Sequence, residues 1–189
     1  MMKTFFKRYG YYVLAMALVL VVGMSVAFAP NSESNVPVVD DNSQQTSTAP
    51  IEMLCPLDSA EVLKWYSDTE LFYNSTLKQW ESHRGVDLTS ATSTDVVSVL
   101  DGVVVDCSYS YENGYCVTIE HDGGLKTMYC SLDSCDMVSK GDNVARGQKI
   151  GQISSSASNE MAEGNHLHFQ VQLNGKNVDP ANYLTLENK

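Results

Sequence analysis

From Val96 onward helical periodicity is scarce, and the chain is a succession of short β-branched or alternating runs, each cut by glycine or Asp-Gly. "VVSVLDGVVVDC" breaks at Asp101-Gly102, "YCVTIEH" turns at Asp122-Gly123-Gly124 and resumes as "LKTMYCSL", and "VSKGDNVARGQKIGQI" carries a glycine at each change of direction. Asn174-Gly175 is a two-residue hairpin signal, because both positions of the favoured turn need a positive φ. Only Pro180 to Leu184 offers a short helical alternative. No internal repeat interrupts this pattern. These features predict a mainly β domain, a compact antiparallel sheet or barrel-sandwich over 51–189.

The N-terminal part obeys different rules. Lys3, Lys7 and Arg8 precede an uncharged stretch from Tyr11 to Ala29, about the length a helix needs to cross a bilayer. Ala27-Phe28-Ala29 also matches the small-x-small pattern of a cleaved signal peptide. However, the apolar run exceeds the usual core of about 7–15 residues, and Pro30 would follow the cut directly. The sequence therefore predicts an uncleaved transmembrane helix over 11–29, residues 1–10 in the cytoplasm, and everything after Pro30 outside it. The location expected is the cytoplasmic membrane, with a single pass. Residues 30–50, rich in Ser, Asn, Gln and Pro, bury too little to fold. They read as a flexible linker reaching roughly 25 Å.

The net charge is −11, and residues 1–30 contain no acidic side chain, so the rest of the chain is more acidic than that figure. Such a surface repels phosphate backbones, which argues against nucleic acid as a partner. A soluble exterior is the simplest reading; the same charge also favours cationic peptides and metal ions.

The segment "GNHLHFQVQLNG" (164–175) uses two of the four histidines. Side chains alternate faces along a strand. Leu167, Phe169, Val171 and Leu173 would thus share an apolar face, while His166, His168, Gln170 and Gln172 project from the other. Upstream, "HRGVD" sets His83 and Asp87 four apart, with Gly85 permitting a tight backbone. Imidazole plus carboxylate is a zinc ligand set, and zinc needs three or four ligands converging from different segments. One of the strand histidines would complete a His, Asp, His triad.

The order "HRGVD", "GLKTMYCSL", "VSKGDNVARGQKIG", "GNHLHFQVQLNGKNVDPANYL" resembles the LytM or lysostaphin type of zinc metallopeptidase over roughly residues 80–184. The resemblance implies peptidoglycan peptides as substrate class and Zn2+ as cofactor. It makes His83, Asp87 and His168 the metal ligands and His166 a catalytic histidine beside them. Zinc on two neutral imidazoles and one carboxylate keeps a positive charge, polarises a carbonyl and lowers the pKa of its water to about 7. His166 would stabilise the developing oxyanion or pass a proton to the leaving amine.

One departure bears on activity. Active members carry a further histidine in a Tyr-x-His-Leu-like motif, and here that stretch reads "MYCSL" (128–132), with Cys130 or Ser131 in its place. Loss of one acid–base group typically costs about 10²–10⁴ in rate, so whether the chain is an enzyme stays open at this point. Cys130 has three readings: a small buried hydrophobe, a weak catalytic stand-in for the imidazole, or a fourth zinc ligand that closes the site. Cys107 and Cys116 flank "SYSYENGY" and could bridge a hairpin. Five cysteines leave at least one unpaired. His121, beside Asp122-Gly123-Gly124, reads as turn chemistry. Trp65 and Trp80 would pack in the core or wall a groove, with Tyr73 near the cleft.

A short cytoplasmic end, one membrane helix, a tether and a single domain with a lost histidine are similar to the stage II sporulation protein Q family, with "YNSTLKQWESHRGVD" close to clostridial members. That resemblance implies a forespore-membrane protein that docks with stage III sporulation protein AH from the mother-cell membrane. Two functions therefore follow: an active zinc peptidoglycan endopeptidase, or a docking domain whose peptidase activity is weak or lost.

Overall fold

A computed structural model of the protein describes residues 51–186. The transmembrane helix expected over 11–29 and the linker over 30–50 lie outside the described residues. Among those described, no helix is long and apolar enough to cross a membrane.

The described chain is mainly β. Its first half supplies β1 (Glu61–Lys64), β2 (Ser67–Asn74), β3 (Gln79–His83), β4 (Val86–Thr89), β5 (Asp95–Val97) and β6 (Gly102–Ser110). The second half supplies β7 (Gly114–Glu120), β8 (Leu125–Leu132), β9 (Asn143–Val144), β10 (Lys149–Gln152), β11 (Leu167–Leu173) and β12 (Lys176–Val178). An eight-stranded sheet runs β1-β4-β11-β8-β7-β6-β9, with β12 paired to β11; β10-β5 and β2-β3 form two-stranded sheets. Every pairing is antiparallel, as the short runs and tight turns require.

The turns fall where the sequence puts them. Asn174 and Gly175 have φ of 50° and 78° and join β11 to β12. Asp122–Gly124 forms a single 3-10 turn between β7 and β8. The helical signal near Pro180 becomes a 3-10 turn over Pro180–Asn182, capped by the Asp179 side chain accepting from the Ala181 amide.

Leu167, Phe169 and Val171 point into the core with no exposed surface, as alternation predicts, and Leu173 packs at its margin. Phe169 lies opposite Tyr129, with ring centroids 5.2 Å apart. Each such side chain contributes about 1.5–3 kcal/mol through burial. The Tyr129 hydroxyl accepts from the Val99 amide (3.0 Å) and lies 3.1 Å from the Thr127 hydroxyl. Thr127 in turn meets His121 Nε2 at 2.7 Å, and His121 Nδ1 donates to the Asp101 carbonyl at 2.8 Å. His121 is thus buried and pins the Asp101-Gly102 turn to β8, a larger role than local turn chemistry.

Two sequence readings need correction. Cys107 and Cys116 do not pair: the β6–β7 register sets Ser108 opposite Cys116, which turns Cys107 to the other face. Cys116 is instead bonded to Cys130 on the neighbouring strand, and Cys107 lies against Cys135. Cys55, Cys107 and Cys135 carry free thiols. The second correction concerns Trp80. Trp65 packs against the core, but Trp80 is 66% exposed and stacks edgewise on Tyr73 on the outer face of the β2–β3 hairpin.

Candidate metal centre

β4 and β11 run side by side with Asp87 directly opposite His168, so both side chains leave the sheet on the same face. His83 ends β3 and reaches the same place through the short link at Gly85. A Cβ at Gly85 would sit 2.7 Å from the Phe169 carbonyl oxygen and 3.0 Å from His168 Cε1. The glycine is therefore required for β4 to approach β11 this closely.

The donor atoms converge. His168 Nδ1 lies 2.7 Å from Asp87 Oδ1, His83 Nε2 lies 3.2 Å from Asp87 Oδ2, and the two imidazole nitrogens are 3.2 Å apart. A tetrahedral zinc with bonds of about 2.0–2.1 Å sets its donors about 3.3–3.4 Å apart. The residues present therefore fit such an ion. His83 is also in the correct tautomer, because its Nδ1 meets only a carbonyl, Trp65 O at 2.8 Å, and must donate to it. That leaves the Nε2 lone pair aimed at the centre. On the far side of His168, Nε2 meets the Gln170 side-chain amide at 2.8 Å. The atom placed there is Gln170 Nε2; with a metal on Nδ1 the outer nitrogen carries its proton, and the Gln170 amide would turn over so that its oxygen accepts it.

His166 is fully buried one residue before β11, bridged to Ser154. Its Nδ1 donates to the Gly164 carbonyl at 2.9 Å, and its Nε2 lies 3.4 Å from Glu160 Oε2. His83, Asp87, His168 and His166 are thus brought together as the sequence predicts.

Cys130 is not available to this group. It lies opposite His168 but its sulfur is bonded to Cys116, so it has no proton to transfer and no thiolate to offer a metal. It is buried, at 1% exposure, but as half of a disulfide, which none of the three readings of this cysteine foresaw. With Tyr129 and Leu132 both in the core, the position of the motif's histidine falls to Ser131. The Ser131 hydroxyl is buried and donates to the Ser154 carbonyl at 2.9 Å. His121, the fourth histidine, is engaged with Asp101 and Thr127. No imidazole replaces the missing one.

Three neighbours were not foreseen: Lys64, Glu160 and Glu163. Lys64 pairs with Asp87 across β1–β4, and its Nζ lies 3.3 Å from Asp87 Oδ2, in hydrogen-bond contact with Glu163 and 3.8 Å from Glu160 Oε1. The two glutamates come from the 3-10 segment Ser158–Glu163, and their only sequence trace is "NEMAE" just upstream of the two histidines.

Electrostatics follow from this packing. Burial opposes the charge on Asp87, yet hydrogen bonds from His168 and His83 outweigh it and hold the carboxyl far below the ordinary range. Burial likewise opposes the His168 imidazolium, and Asp87 overcomes it, so that its pKa is raised. Burial works against the charge on Glu160 too, but His166 and His168 hold its carboxyl below normal. Glu163 is pushed up by burial, against the pull of Lys64.

Comparison with known proteins agrees with this geometry. Residues 81–180 match Peptidase family M23. The chain is 32% identical over 145 residues to an uncharacterized metalloprotease of Buchnera aphidicola, covering 75% of this chain and 36% of that one. It is 34% identical over 114 residues to stage II sporulation protein Q of Bacillus subtilis, covering 59% and 38%. It therefore spans less than two-fifths of either relative's length. Among solved structures, a SpoIIQ–SpoIIIAH pore-forming complex matches with a TM-score of 0.62 and 27% identity, over 72% of this chain and 92% of that one. The catalytic domain of lysostaphin from Staphylococcus simulans matches with a TM-score of 0.52 and 28% identity, over 64% and 89%. With the His-Asp-His cluster on β3, β4 and β11 and the match over 81–180, the chain belongs to peptidase family M23.

Proposed function

We propose that this chain is a membrane-anchored M23 domain that holds zinc through His83, Asp87 and His168, has weak or no peptidase activity, and serves as a docking component at the cell envelope. The observation that carries the metal assignment is the convergence of His83 Nε2, Asp87 and His168 Nδ1 within 2.7–3.2 Å of one another. A bound zinc would supply Lewis-acid polarisation of a peptide carbonyl. The protein's own part would be to fix the His83 tautomer through Trp65 O, to hold the outer nitrogen of His168 against the Gln170 amide, and to present His166 as proton donor or oxyanion partner.

Reduced activity is supported by Ser131 in the motif histidine's position and by the bonded sulfur of Cys130. Docking is supported by similarity to stage II sporulation protein Q and to the SpoIIQ–SpoIIIAH structure, and the proposed partner is stage III sporulation protein AH in an opposing membrane. A margin of the sheet suits it: β9 covers only Gly102 and Val103 of β6, so Asp106–Ser110 forms an edge, with Tyr109 56% exposed. Edge addition of a partner strand is a general mode of recognition. The second reading, an active zinc-dependent peptidoglycan endopeptidase, draws on His166 beside the metal cluster and on 31% identity over 104 residues to a DD-carboxypeptidase/endopeptidase of Neisseria meningitidis.

Binding of the full-length chain to the purified stage III protein's outer domain tests the docking role. Saturable binding that a lysine or proline placed within Asp106–Ser110 abolishes supports it; no binding by the wild-type chain rejects it.

A further inference from the structure

We infer that Glu160 is a fourth protein ligand and that the segment Ser158–Glu163 is a strap that closes the metal centre against substrate. This rests on the zinc-holding role proposed for His83, Asp87 and His168. Glu160 Oε2 lies 3.4 Å from His168 Nδ1 and Glu160 Oε1 lies 3.8 Å from His83 Nε2. Its carboxylate and the three other donors all lie within 4.8 Å of one another; the edges of a zinc tetrahedron are about 3.3–3.4 Å, so a bound ion would draw the carboxylate in by a small side-chain shift.

Charge supports the same arrangement. A divalent cation on two neutral imidazoles is balanced by Asp87 and Glu160, while Lys64 and Glu163 neutralise each other alongside. With Glu160 left out, the ion would keep a net positive charge in a pocket walled by buried side chains.

The strap is tied down on both sides. Asn74 Nδ2 donates to the Asn159 carbonyl at 2.9 Å, the Ala162 amide donates to Thr76 Oγ1 at 3.0 Å, and Lys64 grips Glu163. The chain then leaves through Gly164 at a φ of 76°. His166, 3.4 Å from Glu160, faces the strap carboxylate. A four-ligand zinc site lacks the open position that catalytic centres keep. The closed site accounts for reduced cleavage independently of Ser131, and activity would need the strap to withdraw.

Cobalt(II) in place of zinc in the full-length chain makes coordination visible, and acetohydroxamate serves as the probe for an open position. The wild-type spectrum is expected to be that of a four-coordinate ion and to stay unchanged on adding acetohydroxamate. Glu160→Gln and Glu160→Asp should both respond to the probe. Their zinc affinity should fall by at least about tenfold, the smaller loss typical of removing even an outer partner. A wild-type spectrum that shifts with acetohydroxamate as the variants' do overturns the strap and leaves the three-ligand centre standing. Failure of the wild-type chain to bind cobalt overturns both. The wild-type arm decides whether the site is closed even if a variant does not fold.

Discussion

Asp87 is where burial and charge compete most sharply. It has no exposed surface, yet it stays ionised because two imidazoles and the Lys64 ammonium face it. A bound cation would take over that compensation, so metal and fold are linked. At a free zinc concentration a hundred times the dissociation constant, binding should stabilise the chain by about 2.7 kcal/mol. Thermal denaturation with and without chelator should show that gain in the wild type and lose it in His83→Ala; equal curves for both would remove zinc from the account. His121 makes a separate prediction. Burial holds its pKa below the ordinary value, so the folded state favours the neutral ring. The unfolded chain then binds more protons below about pH 6.5, and the stability due to His121 is complete above that value and declines as pH falls through it. The difference in melting temperature between wild type and His121→Gln should therefore shrink between pH 7 and pH 5.

At the scale of elements, the β4–β11 contact is the joint on which the centre depends. Gly85→Ala would force a methyl against the Phe169 carbonyl, which cannot move without breaking the ladder. It should cost about 1–3 kcal/mol and weaken zinc binding, both measurable by denaturant titration with and without the metal. The Cys116–Cys130 bond ties β7 to β8 beside His168, the register partner of Cys130, with a sequence separation of 14. Removing it as Cys116→Ala with Cys130→Ala should lower stability by about 3 kcal/mol, and an unchanged denaturation midpoint would mean the bond adds nothing. The strands and the four converging residues were legible because each signal is local: HRGVD holds two of them, HLH the other two, and alternation assigns their faces. Lys64, Glu160 and Glu163 were not. Lys64 arrives through a strand register, and the glutamates through a segment with no periodicity of its own. The cysteine pairing failed for the same reason, since one step of register decides which sulfur faces which.

Over the whole molecule, the acidic chain and the buried, ion-paired centre suit the proposed domain that would hold a metal for structure. Such a domain would meet partners along an edge such as Asp106–Ser110 of β6. The loss of the motif histidine to Ser131 and the bonded Cys130 leave His166 as the one imidazole beside the three proposed ligands. The most direct test is digestion of purified peptidoglycan by the zinc-loaded full-length chain, beside a His168→Ala control. The account predicts that the wild type releases no more new peptide ends than the control or than a chelated sample, while carrying one zinc per chain. Zinc-dependent release well above the control would contradict it and make this an active endopeptidase that works without the histidine of the usual motif.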